Sequence, residues 1–194
     1  MKFIADVLKA THVKQILDNM KKQKDRPNWD ESFMSVAVDA ATRSSCKYLH
    51  TGAVIVKDKR IIATGYNGAP PGIENCLNIG CRKDKENIKF NDKGKGICRG
   101  THAEMNAMGL VERERLIGTT MYSVYFPCSA CAKAIVAQGI RKVVYCFVYA
   151  EPDSLTNELF DESNTTLRKL NFDVEAQNLR RLRIFEQQNL NKSR

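Results

Sequence analysis

TMYSVYFPCSACAKAIVAQGIRKVVYCFVY, residues 120–149, decides the fold. Its opening, 120–126, is rich in β-branched and aromatic types, which suit a pleated strand. Residues 128–138 read as a helix closed by Gly139, and 141–149 as a second, buried strand. Strand, crossover helix and strand make a βαβ unit with parallel strands, and such a sheet needs helices to cover it.

Working downstream, Asp153 or Ser154 caps a helix that runs through Leu170, and FDVEA (172–176) is a final short strand. Upstream, HAEMNAMGLVERERL (102–116) reads as a helix ended near Gly118. Before it, 67–100 is a Gly-, Pro-, Asn- and Lys-rich loop whose length marks it as functional or metal-stapled. GAVIVK (52–57) and RIIATGY (60–66) flank Asp58-Lys59 as a hairpin, and a helix starts at Asp30 and runs through Ala41. The expected architecture is α/β: three layers, α-β-α, around a central mixed five-stranded sheet. The domain spans 29–177, between an N-terminal helical extension (1–28) ended at Pro27-Asn28 and a C-terminal tail (178–194).

The net charge of +9 lies almost wholly in those two ends. Residues 1–28 carry seven Lys/Arg against three Asp, and 178–194 carry five against one Glu. The intervening segment is nearly neutral. Solvated ends are the plain reading of such charge, with nucleic acid as a partner only through these basic termini. No stretch reaches the ~20 apolar residues of a bilayer span, and Asp6 and Lys9 interrupt any secretory apolar run. A cytoplasmic location follows as the expectation, where thiols stay reduced, so the seven cysteines call for a role other than disulfides.

Three positions answer that call first. His102-Ala103-Glu104 opens one helix directly after a loop, and Cys128-Ser129-Ala130-Cys131 opens another directly after a strand. Thiolates three residues apart at a helix N-terminus point to one centre, where the helix dipole favours their anionic form. One imidazole completes three N/S ligands and leaves a fourth tetrahedral position for water, the pattern of catalytic zinc. Glu104, two residues beyond the His, can reach that water without ligating. A redox C-x-x-C or a four-ligand structural zinc are the competing readings. The first does not require an upstream His-x-Glu, and the second lacks another C-x-x-C.

His-x-Glu followed by Pro-Cys-x-x-Cys is the signature of zinc-dependent nucleobase deaminases. The likeness extends from about Phe33 to Tyr149: Arg43-Ser44-Ser45-Cys46, Gly52–Val56, Ile61–Pro70 with its Gly65-Tyr66-Asn67-Gly68, Cys98–Asn106, Cys131–Ile135 and Gly139–Tyr145. On these residues the chain resembles the deoxycytidylate (dCMP) deaminases of the cytidine deaminase-like superfamily. The resemblance implies hydrolysis of dCMP to dUMP and ammonia, supplying dUMP for thymidylate synthesis. Zn²⁺ on His102, Cys128 and Cys131 is the implied cofactor and Glu104 the catalytic proton carrier. It also implies substrate contacts from Asn67 to the sugar or phosphate region, from the Ala103 N–H to the base carbonyl, and from the Tyr149 ring to the base. A turn role for Asn67 and plain sheet packing for Tyr149 compete with these. By analogy the family adds a homo-oligomer, often a hexamer, activated by dCTP with Mg²⁺ and inhibited by dTTP. Tyr66, Gly68 and Arg113 are then the effector or subunit contacts, although Arg113 also suits a solvated face.

Cys46, Cys76, Cys81 and Cys98 bracket the long loop and are enough for a second, structural Zn²⁺. Buried free thiols are the alternative. Cys146, between Tyr145 and Phe147, belongs to the core. Residues 82–97 form a lysine-rich insertion, and 150–153 depart from relatives that place an acidic residue directly after the Tyr. Two other functions share the motif. One is deamination of a base within tRNA or single-stranded DNA, which the near-neutral central segment disfavours. The other is a non-catalytic zinc module associated with DNA, which would have no need of Glu104.

Overall fold

The computed structural model describes residues 26–89, 97–149 and 154–182. The expected N-terminal helix and most of the C-terminal tail lie outside the described residues. One compact unit spans Trp29–Phe172.

Its first element, α1 (Trp29–Ala41), has Asp30 and Glu31 in the first turn, where acidic side chains suit the helix dipole. Strands β1 (Gly52–Lys57) and β2 (Arg60–Tyr66) form the expected antiparallel hairpin. Its turn residues Asp58 and Lys59 have φ of 48° and 60°, the left-handed values that a two-residue hairpin needs to match strand twist. Two single-turn helices, α2 (Cys76–Ile79) and α3 (Arg82–Lys85), lie in the long loop. Then follow α4 (Ala103–Met108), α5 (Arg113–Leu116), β3 (Thr120–Tyr125) and α6 (Ser129–Ala137). The unit ends with β4 (Lys142–Phe147), α7 (Ser154–Glu162) and β5 (Thr166–Lys169).

The sheet is five-stranded and mixed, in the order β2-β1-β3-β4-β5. β1 pairs antiparallel with β2 and β3, whereas β3, β4 and β5 run parallel. On one face Phe33 of α1 packs its ring on Tyr122 of β3. Asp30 accepts the Tyr122 hydroxyl at 2.5 Å and forms an ion pair with Arg168 of β5, so one carboxylate staples α1 across two strands. On the opposite face Ala53, Ile55, Met121 and Val143 pack with Ala103, Ala107, Cys131, Ala132, Ile135 and Phe160. Two glycines allow both layers to approach the hairpin closely. A Cβ on Gly52 would overlap the Ala37 carbonyl of α1, and one on Gly65 would overlap the Ala103 carbonyl and Ala107 N–H of α4.

Three local expectations are corrected. The helix expected to run through Leu170 ends at Glu162, because Asn164 turns the chain with φ 53°. The last strand is then 166–169, not 172–176. Residues 174–182 are instead a helix, α8, whose start Asp173 caps by accepting the Ala176 N–H at 2.9 Å. The helix expected over 102–116 is two short ones, broken at 109–112. Among the described residues, no helix is long and apolar enough to cross a membrane.

Candidate metal centre and active site

His102 and Cys128 occupy equivalent places. Each is an extended residue directly before a helix, with ψ of 154° and 164°, at the starts of α4 and α6. Neither caps its helix with its side chain, so both side chains are available for the centre. His102 Nδ1 lies 3.4 Å from Cys128 Sγ and 3.3 Å from Cys131 Sγ. All three ligand atoms fall within 4.8 Å of one another, so a tetrahedral cation would touch each of them. One imidazole nitrogen and two sulfurs are the donors zinc prefers, and three of them leave one position open.

Cys128 is the more acidic of the two thiols. A hydrogen bond from Cys131 brings its pKa down to about 4, against burial, and His102 adds to this. The same contact, together with burial, holds Cys131 well above the ordinary thiol range. His102 is pushed up by its bond to Cys128, which outweighs the opposing effect of burial.

Glu104 is the second residue of α4, in its first turn, and is 5% exposed. Its Oε2 lies 3.6 Å from Cys131 Sγ, and its Oε1 accepts the Ser123 hydroxyl at 3.2 Å. Burial pushes its carboxyl up, and His102 opposes that shift. The carboxylate therefore stands beside the three ligands without completing a four-ligand cage.

Around this centre, Ala103 is fully buried at the start of α4. Tyr149 stands edge-on to Tyr125, and its phenol is raised by burial and by the nearby Cys128, Glu104 and Cys131. Asn67 clamps the approach to β1: its Oδ1 accepts the Thr51 N–H at 2.9 Å and its Nδ2 donates to the Leu49 carbonyl at 2.7 Å. A primary amide keeps one further N–H and one lone pair after these two bonds. Tyr66 lines a cavity of about 390 Å³ with Arg43, Ser45, Ile73, Asn106 and Leu110. Gly68 pairs with Thr101 in a single bridge. Arg113 is elsewhere, where its Nε donates to the Ala137 carbonyl at the end of α6.

The other four cysteines are neighbours but do not converge. Cys76 is pushed up by burial and by Cys81, Cys98 and Cys46. Cys46 Sγ accepts the N–H groups of Tyr48 and Leu49, each at 3.5 Å. Lys47 and Tyr48 both hold Asp84 of α3, which ties this turn to the loop. Among the described residues, the set gathered within 4.8 Å is His102, Cys128 and Cys131, not these four.

The family described as the cytidine and deoxycytidylate deaminase zinc-binding region matches residues 27–147. The chain belongs to this family. It is 45% identical to the deoxycytidylate deaminase of a Mycobacterium phage over 122 residues, which are 62% of this chain and 95% of that protein. It is 37% identical to the deoxycytidylate deaminase of Saccharomyces cerevisiae over 165 residues, 83% of this chain but about half, 52%, of the yeast protein. Among solved structures it is similar to dCMP deaminase from the cyanophage S-TIM5 in complex with dCMP and dUMP. That likeness has a TM-score of 0.60 and 25% identity, covering 75% of this chain and 98% of that one. The matched segment takes in α1, the hairpin, the metal centre and β4, the elements that bear the family's zinc region here.

Ser123 is the residue at this centre that the motifs do not announce. Its signal is a polar residue at a position of β3 that points to the core, between Met121 and Tyr125, where alternation calls for an apolar side chain.

Proposed function

We propose that this chain is a zinc-dependent hydrolase that converts dCMP and water to dUMP and ammonia. The observation that carries the reading is the buried Glu104 carboxylate set beside His102 Nδ1, Cys128 Sγ and Cys131 Sγ. It occurs in a chain that covers nearly the whole of a phage deoxycytidylate deaminase at 45% identity.

In this mechanism zinc, held by those three residues, supplies the Lewis acidity that lowers the pKa of water towards ~7. Glu104 Oε2 takes a proton from the attacking water and delivers it to ring N3 of cytosine. The second water proton follows the same carboxylate to the exocyclic nitrogen, which leaves as ammonia while C4 becomes the carbonyl of dUMP. The Ala103 N–H donates to the base carbonyl, the Tyr149 ring packs on the base, and the spare Asn67 N–H holds the sugar or phosphate region. The buried carboxylate excludes bulk water that would otherwise compete for its proton.

Three finer assignments accompany this reading. Cys46, Cys76, Cys81 and Cys98 hold a second, structural zinc. The N–H bonds to Cys46 Sγ and the mutual influence of the thiols on Cys76 support it. The cavity beside Tyr66 takes a nucleotide effector with Mg²⁺, with Arg43 on its wall. A homo-oligomer covers the exposed Tyr66, Met105 and Leu110. Its product feeds thymidylate synthesis.

The test is ammonia release from dCMP, CMP and dCTP, each with and without added dCTP as effector. Turnover restricted to dCMP supports the reading, and inactivity on all three by zinc-loaded protein overturns it.

A further inference from the structure

The carboxylate of Glu104 has two oxygens in different surroundings. Oε2 faces the metal ligands, 3.6 Å from Cys131 Sγ. Oε1 points down to the sheet, where the Ser123 hydroxyl meets it at 3.2 Å. Ser123 is in the middle of β3 and is fully buried. Its partner on β1 is Ala53, also fully buried, whose small side chain leaves this part of the floor to the hydroxyl and the carboxylate. An ionised carboxylate can only accept, so the serine is the donor.

We propose that Ser123 is a positioning residue for the deamination reaction: its hydroxyl holds Oε1 from beneath and so fixes Oε2 towards the metal ligands and the substrate. The inference rests on the proposed role of Glu104 and deepens it. A glutamate side chain has three rotatable bonds, and burial alone sets its depth without setting the roll of the carboxylate plane. The Ser123 bond sets that roll. It also persists through the proton cycle. When Glu104 carries the water proton, Oε1 still accepts from Ser123, so the proton sits on Oε2, the oxygen that faces the reacting atoms. Delivery to the substrate then needs no rotation of the carboxyl group.

The experiment uses an isosteric pair in the full-length, zinc-loaded protein. Ser123→Thr and Ser123→Val add side chains of equal size, and only the threonine keeps a hydroxyl. Ser123→Ala serves as the smaller variant should both larger ones fail to fold. The expected result is a roughly 10- to 100-fold fall in kcat for Ser123→Val and Ser123→Ala, the value of one hydrogen bond to a charged group. KM for dCMP, zinc content and dUMP binding stay at wild-type values, and Ser123→Thr restores most of the lost kcat. Crystal structures of the pair supply a readout that needs no turnover: the carboxylate of Glu104 keeps its orientation with threonine and turns with valine or alanine. Equal kcat for valine and threonine overturns the proposal, as does a defect confined to KM or zinc content, or an unturned carboxylate in the valine and alanine variants. A wild-type protein inactive on dCMP overturns the function reading instead, and the carboxylate orientation then still decides the role of Ser123.

Discussion

His102, Cys128 and Cys131 stand at the starts of two helices that the sheet and its core hold in place. Cys46, Cys76, Cys81 and Cys98 stand on a turn, at two single-turn helices and at the end of the long loop. The first group brings its ligand atoms within 4.8 Å of one another, with His102 Nδ1 3.4 Å from Cys128 Sγ and 3.3 Å from Cys131 Sγ. The second shares a neighbourhood without reaching that distance. The difference follows from what each backbone is anchored to. Cys131 is fully buried among Ile135, Met121 and Ala103, so its position is set by folding. The loop cysteines are half-buried or exposed, so a cation would supply the order that packing does not. A catalytic centre must be in position before substrate arrives; a structural one can be made by its metal.

The strongest way to break this comparison is to remove a ligand from the preformed centre. Cys131→Ser and Cys128→Ser should each lose the catalytic zinc and bring deamination to background, measured by metal analysis beside ammonia release. A variant that kept both would show that the centre does not depend on these thiolates. Glu104→Gln separates holding the metal from moving the proton. Its zinc should remain while kcat falls by about 10²- to 10⁴-fold, the usual worth of a positioned acid-base group. In the second group the effects should reverse. Cys81→Ser should reduce zinc from two ions per chain to one and lower Tm by about 5 °C or more, for roughly 2 kcal/mol in a unit of this size. The catalytic zinc should stay in place. One zinc in the wild-type protein removes the second site altogether.

The smallest effect sharpens the comparison from the far side of the sheet. Tyr122→Phe removes the hydroxyl that Asp30 accepts and should cost about 1 kcal/mol, or 2–4 °C in Tm, without touching kcat. It carries a pH signature. Burial and then Asp30 raise the Tyr122 phenol above its ordinary value of 10.0. The folded state therefore holds that proton more tightly than the unfolded chain. The contribution is complete below about pH 10 and is lost as pH rises towards the folded value. Urea melts of wild type and Tyr122→Phe should thus converge in strongly alkaline buffer and differ most near neutrality.

How much of this was legible in the sequence depends on how local the cause is. The Asp58-Lys59 turn, the two helix starts and the crossover from β3 to β4 each have their determinants within a few residues, and all stand where the pattern places them. The C-terminal reading failed because FDVEA (172–176) alternates apolar and acidic residues as a half-buried strand does, whereas the true strand TLRK (166–169) shows no such alternation. The choice was made by tertiary pairing: Val143 and Val144 of β4 take Leu167 and Arg168 as partners. The break after Met108 falls at Gly109, the residue in HAEMNAMGLVERERL that most disfavours a continuous helix. Within the site, His102, Glu104 and the cysteine pair were legible because metal chemistry demands those residue types at short spacing. Ser123 was not, because its meaning depends on a contact with a residue nineteen positions away. Arg113 shows the converse: its charge drew notice in the sequence, yet in the fold it reaches the end of α6.

The central claim is that this preformed centre deaminates a free nucleotide. Its most direct test incubates zinc-loaded protein with dCMP and, in parallel, with cytosine-containing single-stranded DNA, and follows ammonia and the uracil products. The account predicts stoichiometric dUMP and ammonia from dCMP, abolished by Glu104→Gln, and no uracil in the DNA. Uracil in the DNA with dCMP left intact would contradict it.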